Sequence, residues 1–274
     1  MSHLGESRKA NVFGVAIEPV NMQLAVLRVI EALRDPPSYV CLAGAHGIVE
    51  ARRNIELARA YRDASFVLPD GMPTVWIGRH QGFVSMDRVF GPEFMFAVFQ
   101  ASEGTGARHF LYGGEVGVAQ ELQSSLKKRF PKSNIVGTYT PPFRSLSQTE
   151  ETDLEQMLRV VRPDFMWIGL STPKQEIFMR KYRDMLPVKI MIGVGAAFDF
   201  HTGRLTDSPT WVKRSGLQWL HRLIQEPRRL WRRYLRTNSI FLCLAMLELA
   251  GSERPRILPV AKPAAGVLDD PLVE

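Results

Sequence analysis

Between residues 107 and 194, short apolar runs alternate with helical periodicity at regular spacing. His109–Tyr112, Asn134–Tyr139, Asp164–Leu170 and Val188–Val194 are continuous apolar runs, not alternating ones. They predict strands covered on both faces. Glu115–Arg129, Gln148–Val161 and Lys174–Met185 carry helical spacing between them. That order predicts an α/β protein with a parallel, doubly wound sheet.

The flanking segments extend this pattern less regularly. Upstream, strands are expected at Asn11–Ile17, Tyr39–Ala43 and Ser65–Leu68. Helices are expected at Asn21–Leu33, stopped by Asp35-Pro36-Pro37, and at Ile48–Tyr61, Met72–His80 and Pro92–Ala101. Downstream, Trp211–Gln225 reads as one helix and Pro227 starts another. Thr237-Asn238-Ser239 should break or cap it, ahead of an apolar helix over Ile240–Ala250 that Gly251 terminates. The Pro- and Ala-rich Pro255–Glu274 predicts a disordered tail.

Charge is concentrated. The net +7 resides in residues 204 to 236, which hold nine cations against two acids, Asp207 and Glu226. Such an excess is either a solvated helix face or a site for an anion: phosphate, anionic lipid or nucleic acid. Around a helix, Arg229, Arg232, Arg233 and Arg236 fall on one side, and Leu230, Trp231, Tyr234 and Leu235 on the other. The Ile240–Ala250 helix is too short to span a bilayer, so it either lies on one or packs into a core. Cys41 and Cys243 both stand in apolar runs and are expected as buried thiols of a reducing compartment. The polar start Met1–Ala10 lacks the apolar core of a signal peptide. These features predict a cytoplasmic protein, peripheral to the membrane.

Ligands of a doubly wound sheet bind at the carboxyl ends of its strands, and several chemically able segments fall there. Gly113 and Gly114, in Tyr112-Gly113-Gly114-Glu115-Val116-Gly117, suit either phosphate approach or a tight turn. In Ser171-Thr172-Pro173-Lys174-Gln175-Glu176, Thr172 suits a helix cap, and Gln175 a ligand contact. Gly195 and Asp199 follow the last strand, where small residues leave ligand space or permit close packing. Asp70, in Pro69-Asp70-Gly71, is either a turn residue or a general base for an acceptor hydroxyl. His46 is a second possible base or a structural histidine. No H-x-x-x-H, D-x-D or Cys/His grouping predicts a metal site. Arginines and helix N-termini are then the groups available to neutralise a bound anion.

PDGMPTVW (69–76), DRVFGPEF (87–94), YGGEVGVA (112–119), IGLSTPKQE (168–176), GVGAAFDFHTG (193–203) and GLQWLHRLIQEPRRLWRRYL (216–235) occur in that order. Together the chain resembles the WecG/TagA/CpsF glycosyltransferases, glycosyltransferase family 26, over roughly residues 12 to 240. The resemblance implies a Rossmann-like core of the GT-E type with a C-terminal, membrane-facing helical appendage. It implies inverting transfer of a hexose, N-acetylhexosamine or uronic acid, without metal or cofactor, in cell-surface or exopolysaccharide synthesis. The donor would be a UDP-sugar, and the acceptor a polyprenyl-diphosphate-linked saccharide at the anionic inner face of the membrane. It also implies a self-associating, homo-oligomeric core and no nucleic-acid partner.

Carried over by residue, Asp70 matches the family's proposed base, Arg88 its R-x-x-G arginine, and Gln175 the glutamine of its PKQE-like motif. Arg222, Arg229 and Arg232 match the appendage arginines that hold the diphosphate. Ala43 and Gly44 stand where many members carry Thr and Asn, and His46 is positioned to take over part of that role. The expected organisation is an N-terminal α/β lobe carrying Asp70 (1–104) and a nucleotide-sugar half (105–204). A basic helical appendage (205–252) and a tail (253–274) would follow. The competing readings are a non-catalytic nucleotide-binding or membrane-surface module and a dinucleotide oxidoreductase. The incomplete GxGxxG counts against the oxidoreductase.

Overall fold

The structure, a computed structural model, describes residues 8–251. The tail expected at 253–274 lies outside the described residues, as do the first seven residues of the polar start. The strands are β1 (Ala10–Val12), β2 (Val15–Ile17), β3 (Ser38–Ala43), β4 (Phe66–Pro69), β5 (Arg108–Gly113), β6 (Asn134–Tyr139), β7 (Phe165–Gly169) and β8 (Ile190–Gly193). The helices are α1 (Met22–Glu31), α2 (Ala45–Ala51), α3 (Ile55–Asp63), α4 (Met72–His80), α5 (Gly91–Ser102), α6 (Val118–Arg129), α7 (Gln148–Val161), α8 (Lys174–Tyr182), α9 (Ala197–His201), α10 (Thr210–Arg214), α11 (Gln218–Gln225) and α12 (Pro227–Leu249).

Six strands form one sheet in the order β4-β3-β8-β7-β5-β6, every pair parallel. The α/β class and the parallel sheet are as expected. The strands near the N-terminus extend the same sheet as the later ones, because β3 pairs with β8. Alternate side chains of each strand feed two apolar layers, since successive residues point to opposite faces. Tyr39, Cys41 and Ala43 join Ile48, Leu57, Leu154, Leu158 and Met179 on one side. Val40 and Leu42 join Ala25, Val29, Val98, Leu122 and Ala197 on the other.

Some expectations need correction. Asn11–Ile17 is not one strand but the hairpin β1–β2, turned at Phe13-Gly14, both at positive φ. Two positive φ values are what a tight two-residue hairpin demands. The helix expected over Ile48–Tyr61 splits into α2 and α3, because Asn54 accepts from Leu57 N at 3.1 Å and caps a new start. The helix expected over Trp211–Gln225 splits into α10 and α11 around Ser215-Gly216, with Gly216 at φ +73°.

In the opposite direction, Thr237-Asn238-Ser239 does not break α12, which runs unbroken for 23 residues. Ser239 Oγ donates back to Leu235 O at 2.7 Å, a bond made inside the continuing helix, and Thr237 is buried, so neither side chain ends it. Cys243 is exposed on α12, not buried; only Cys41 lies in the core. No helix among the described residues is long and apolar enough to cross a membrane.

Candidate active site

Asp70, Gly113 and Gly195 stand at or just beyond the carboxyl ends of β4, β5 and β8. Asp70 N donates to Ala43 O at 3.1 Å, tying the end of β4 to the end of β3. Val89 N donates to Pro69 O at 2.7 Å, which seats Arg88 beside the same strand end. Gly44 is pressed against this junction. A Cβ there would lie 2.7 Å from Asp70 O and 3.8 Å from Asp70 Oδ2. Any larger residue at position 44 therefore displaces the Asp70 backbone that follows β4.

Asp70 is half-buried at this edge. Burial pushes its carboxyl up to about 6, while Arg88 and Arg222 draw it down and Glu93 raises it. A carboxylate poised there is ionised at neutral pH yet basic enough to accept a proton. Arg88 is held rather than free. It donates to Glu93 Oε2 at 3.0 Å and to Gln218 Oε1 on α11 at 2.8 Å, and it stacks on Phe90 at 4.8 Å. The Gln218 bond joins the core's arginine to the segment after residue 205.

α9 supplies the opposite wall. Phe200 meets Phe90 edge-to-face at 5.5 Å, and Arg222 lies over Phe200 at 5.6 Å. Burial raises the Asp199 carboxyl, and Arg229 and Arg222 draw it back down. Glu226 is shared by two of these arginines, Arg222 at 2.7 Å and Arg229 at 2.6 Å. Arg222 is half-buried, whereas Arg229 and Arg233 are exposed on α12. Arg222 and Arg229 thus meet at one shared acid, and the buried Nε of Arg222 has no partner among the described residues. Like charges held together in a partly desolvated site favour an anion between them.

Asp70, Arg88 and Arg222 are brought together, as are Asp199, Arg222 and Arg229. Arg232 lies apart, exposed and over its neighbour Trp231 at 5.1 Å. His46 faces α12: its Nδ1 is 3.4 Å from Thr237 Oγ1, and burial followed by Arg233 pushes its pKa down to about 4. A neutral imidazole seats α12 on α2 without repelling the arginines.

Gln175 is buried. Its Oε1 accepts from Gly195 N at 3.0 Å and its Nε2 donates to Glu176 at 3.0 Å. Thr172 does not cap α8; its hydroxyl donates to Glu176 at 2.9 Å. Gly113 and Gly114 sit where β5 meets β7, both at positive φ. A Cβ on Gly113 would lie 2.7 Å from the Gly169 backbone, and one on Gly114 2.9 Å from Val118 Cβ.

The sequence reading passed over Phe90, Phe200, Gln218 and the neutralising Glu226. Glu226 carried the one available signal, as one of only two acids in the basic stretch. Among the described residues, no group of three or more His, Cys, Asp or Glu is arranged to hold a metal ion.

Comparison with known proteins bears on the same span. A family profile described as "Glycosyl transferase WecG/TagA/CpsF family" matches residues 10–255. Two Bacillus proteins, each named N-acetylglucosaminyldiphosphoundecaprenol N-acetyl-beta-D-mannosaminyltransferase, are similar. The Bacillus spizizenii protein is 28% identical over 186 residues, 68% of this chain and 70% of that protein. The Bacillus subtilis protein is 29% identical over 172 residues, 63% of this chain and 65% of that protein, just under two thirds of its length.

Proposed function

The chain belongs to the WecG/TagA/CpsF glycosyl transferase family, and from that premise we propose that this glycosyltransferase moves a sugar from a UDP-sugar to a polyprenyl-diphosphate-linked saccharide by one inverting displacement. Asp70 takes the proton of the acceptor hydroxyl. The freed oxygen bonds to the anomeric carbon on the face opposite the diphosphate. The bond from that carbon to the UDP oxygen breaks, and UDP departs as an anion. Arg222 and Arg229 receive its charge, with Arg233 beside them. Arg88, tied to Glu93 and Gln218, holds α11 over the base. Gly113, Gly114, Gly195 and Asp199 line the donor side of the carboxyl edge. The names of the two Bacillus relatives support the acceptor class.

The observation that carries this reading is the arginine group around Glu226. It is cationic, it centres on the half-buried Arg222, and Arg222 acts on the Asp70 carboxyl. Electrostatic groups set in advance at the leaving diphosphate do the work that a bound cation does in other transferases.

α12 also supports a membrane-side role. Trp231, Leu235, Leu242, Met246 and Leu249 are exposed and fall within about 60° of one another around the helix. Only part of the face expected to be Leu and aromatic is turned outward, since Leu230 is buried and Tyr234 half-buried. Arg228, Arg232 and Arg236 border the apolar stripe. An apolar stripe edged by cations suits an anionic bilayer surface, against which the lipid-linked acceptor is presented.

The first test is calorimetric titration with UDP and with NAD, each with and without EDTA. The reading expects UDP to bind equally with and without EDTA, and NAD not to bind. UDP binding that collapses in EDTA would overturn the arginine-based neutralisation. NAD binding would point instead to a dinucleotide enzyme.

A further inference from the structure

We infer that Glu176, which the mechanism above does not use, is a positioning residue of the donor side: its carboxyl fixes the amide of Gln175, and that amide holds the Gly195 backbone. Gln175 and Glu176 open α8 and are 3% and 0% exposed. Glu176 Oε1 accepts twice, from Gln175 Nε2 at 3.0 Å and from Thr172 Oγ1 at 2.9 Å. Gln175 Oε1 accepts from Gly195 N at 3.0 Å. The three bonds form one chain from α8 to the loop that follows β8.

A side-chain amide has nearly the same shape in its two orientations. Flipped, Gln175 would turn its NH2 toward the Gly195 N–H, donor against donor. An acceptor oxygen on its other side disfavours that state, and a carboxyl supplies one. Packing leaves Gln175 little other freedom: a Cβ on Gly193 would lie 3.1 Å from its Cδ and 2.8 Å from Met179 Cε.

The loop so held has Gly195 at φ +55° and runs directly into α9, which carries Asp199 and Phe200. Phe200 is the ring beneath Arg222. The orientation of one buried amide therefore propagates to the donor-side carboxylate and to the platform of an arginine assigned to the diphosphate.

Keeping a carboxyl here costs stability. Glu176 has no cationic partner among the described residues, its Oε2 is buried without a hydrogen bond, and burial pushes its pKa up. An apolar residue of that size would avoid burying the carboxyl but would leave Gln175 Nε2 and Thr172 Oγ1 without their acceptor. The acceptor role gives a reason for a carboxyl to stand in that place.

The donor-binding part of this inference rests on the transferase reading; the positioning part does not. The test compares Glu176→Leu, similar in size but without an acceptor, with Glu176→Gln, which keeps one. Hydrogen exchange at the Gly195 amide should accelerate about tenfold in Glu176→Leu and stay near wild type in Glu176→Gln, as for loss of one buried hydrogen bond. The KM for UDP-sugar should rise by about the same factor in Glu176→Leu alone. Its activity should still climb through pH 6, since Asp70 is untouched.

Unchanged Gly195 exchange in Glu176→Leu overturns the inference, as does a Glu176→Gln variant as impaired as Glu176→Leu. Altered exchange with an unchanged donor KM overturns the donor-side role. If the wild-type chain binds no UDP, the transferase reading falls, and exchange at Gly195 still decides the positioning.

Discussion

Replacing Asp70 by Asn should abolish turnover and at the same time make the protein more stable at neutral pH. The loss follows from the base: general-base catalysis contributes roughly 10²–10⁴-fold, and asparagine cannot take the proton. UDP affinity should stay the same or tighten slightly, because the substitution removes a negative charge that draws on Arg88 and Arg222. In the unsubstituted protein, kcat/KM should climb as pH rises through about 6 and then level off.

The stability gain follows from the same burial. The folded protein keeps the Asp70 proton up to about pH 6, whereas the unfolded chain releases it near 4. Folding therefore takes up a proton between these values, and the stability contributed by this site falls as pH rises through that window. Asparagine removes that loss, for a gain of order 2 kcal/mol above pH 6 that vanishes below pH 4. In thermal unfolding this corresponds to roughly 5 °C for a chain of this size. A fully active Asp70→Asn protein would remove Asp70 from the mechanism. An inactive variant with no gain in stability would mean that the carboxyl is less desolvated than its setting indicates.

Ending the chain at Glu226 should be as severe. It removes Arg229, Arg232 and Arg233 together with the exposed apolar stripe of α12. Removing even one group that stabilises charge in a transition state costs about 10²–10³-fold in rate, so turnover should fall by at least that factor. Binding to vesicles containing anionic lipid should disappear as well. The two effects can be separated with the full chain. Leu242→Glu combined with Met246→Glu places charges in the outward stripe and leaves the arginines in position. That variant should lose vesicle binding while retaining UDP affinity. A chain ending at Glu226 that still turns over would refute the active-site role of the α12 arginines.

The sheet was readable because its strands are continuous apolar runs, and a strand buried on both faces leaves that mark directly. α7 was readable to its ends from its helical spacing, and the structure adds the Ser147 and Glu150 capping box that closes its N-terminus. The breaks were harder to see. Phe13-Gly14, Asn54 and Ser215-Gly216 are single turns within segments whose periodicity continues across them. α12 misled in the opposite sense, because Thr237 and Ser239 break helices only when their side chains engage nearby backbone in place of helical bonds. Here Thr237 is buried against α2.

For the candidate site, positions were more legible than partners. Asp70, Gln175 and Asp199 could be placed at strand ends from the order of elements alone. That Gln175 directs its amide to Gly195 and Glu176 is a tertiary fact with no local signature. The same holds for Glu226 linking Arg222 to Arg229, and for Gln218 reaching across to Arg88.

The most direct measurement is transfer itself: the full chain with a lipid-diphosphate-linked N-acetylglucosamine acceptor, a panel of UDP-sugars that includes UDP-N-acetylmannosamine, and excess EDTA. The account predicts that one donor yields an extended lipid-linked product, that its new linkage has the anomeric configuration opposite to the donor's, and that Asp70→Asn yields none. A product of retained configuration, or transfer that ceases in EDTA and returns with added divalent cation, would contradict it.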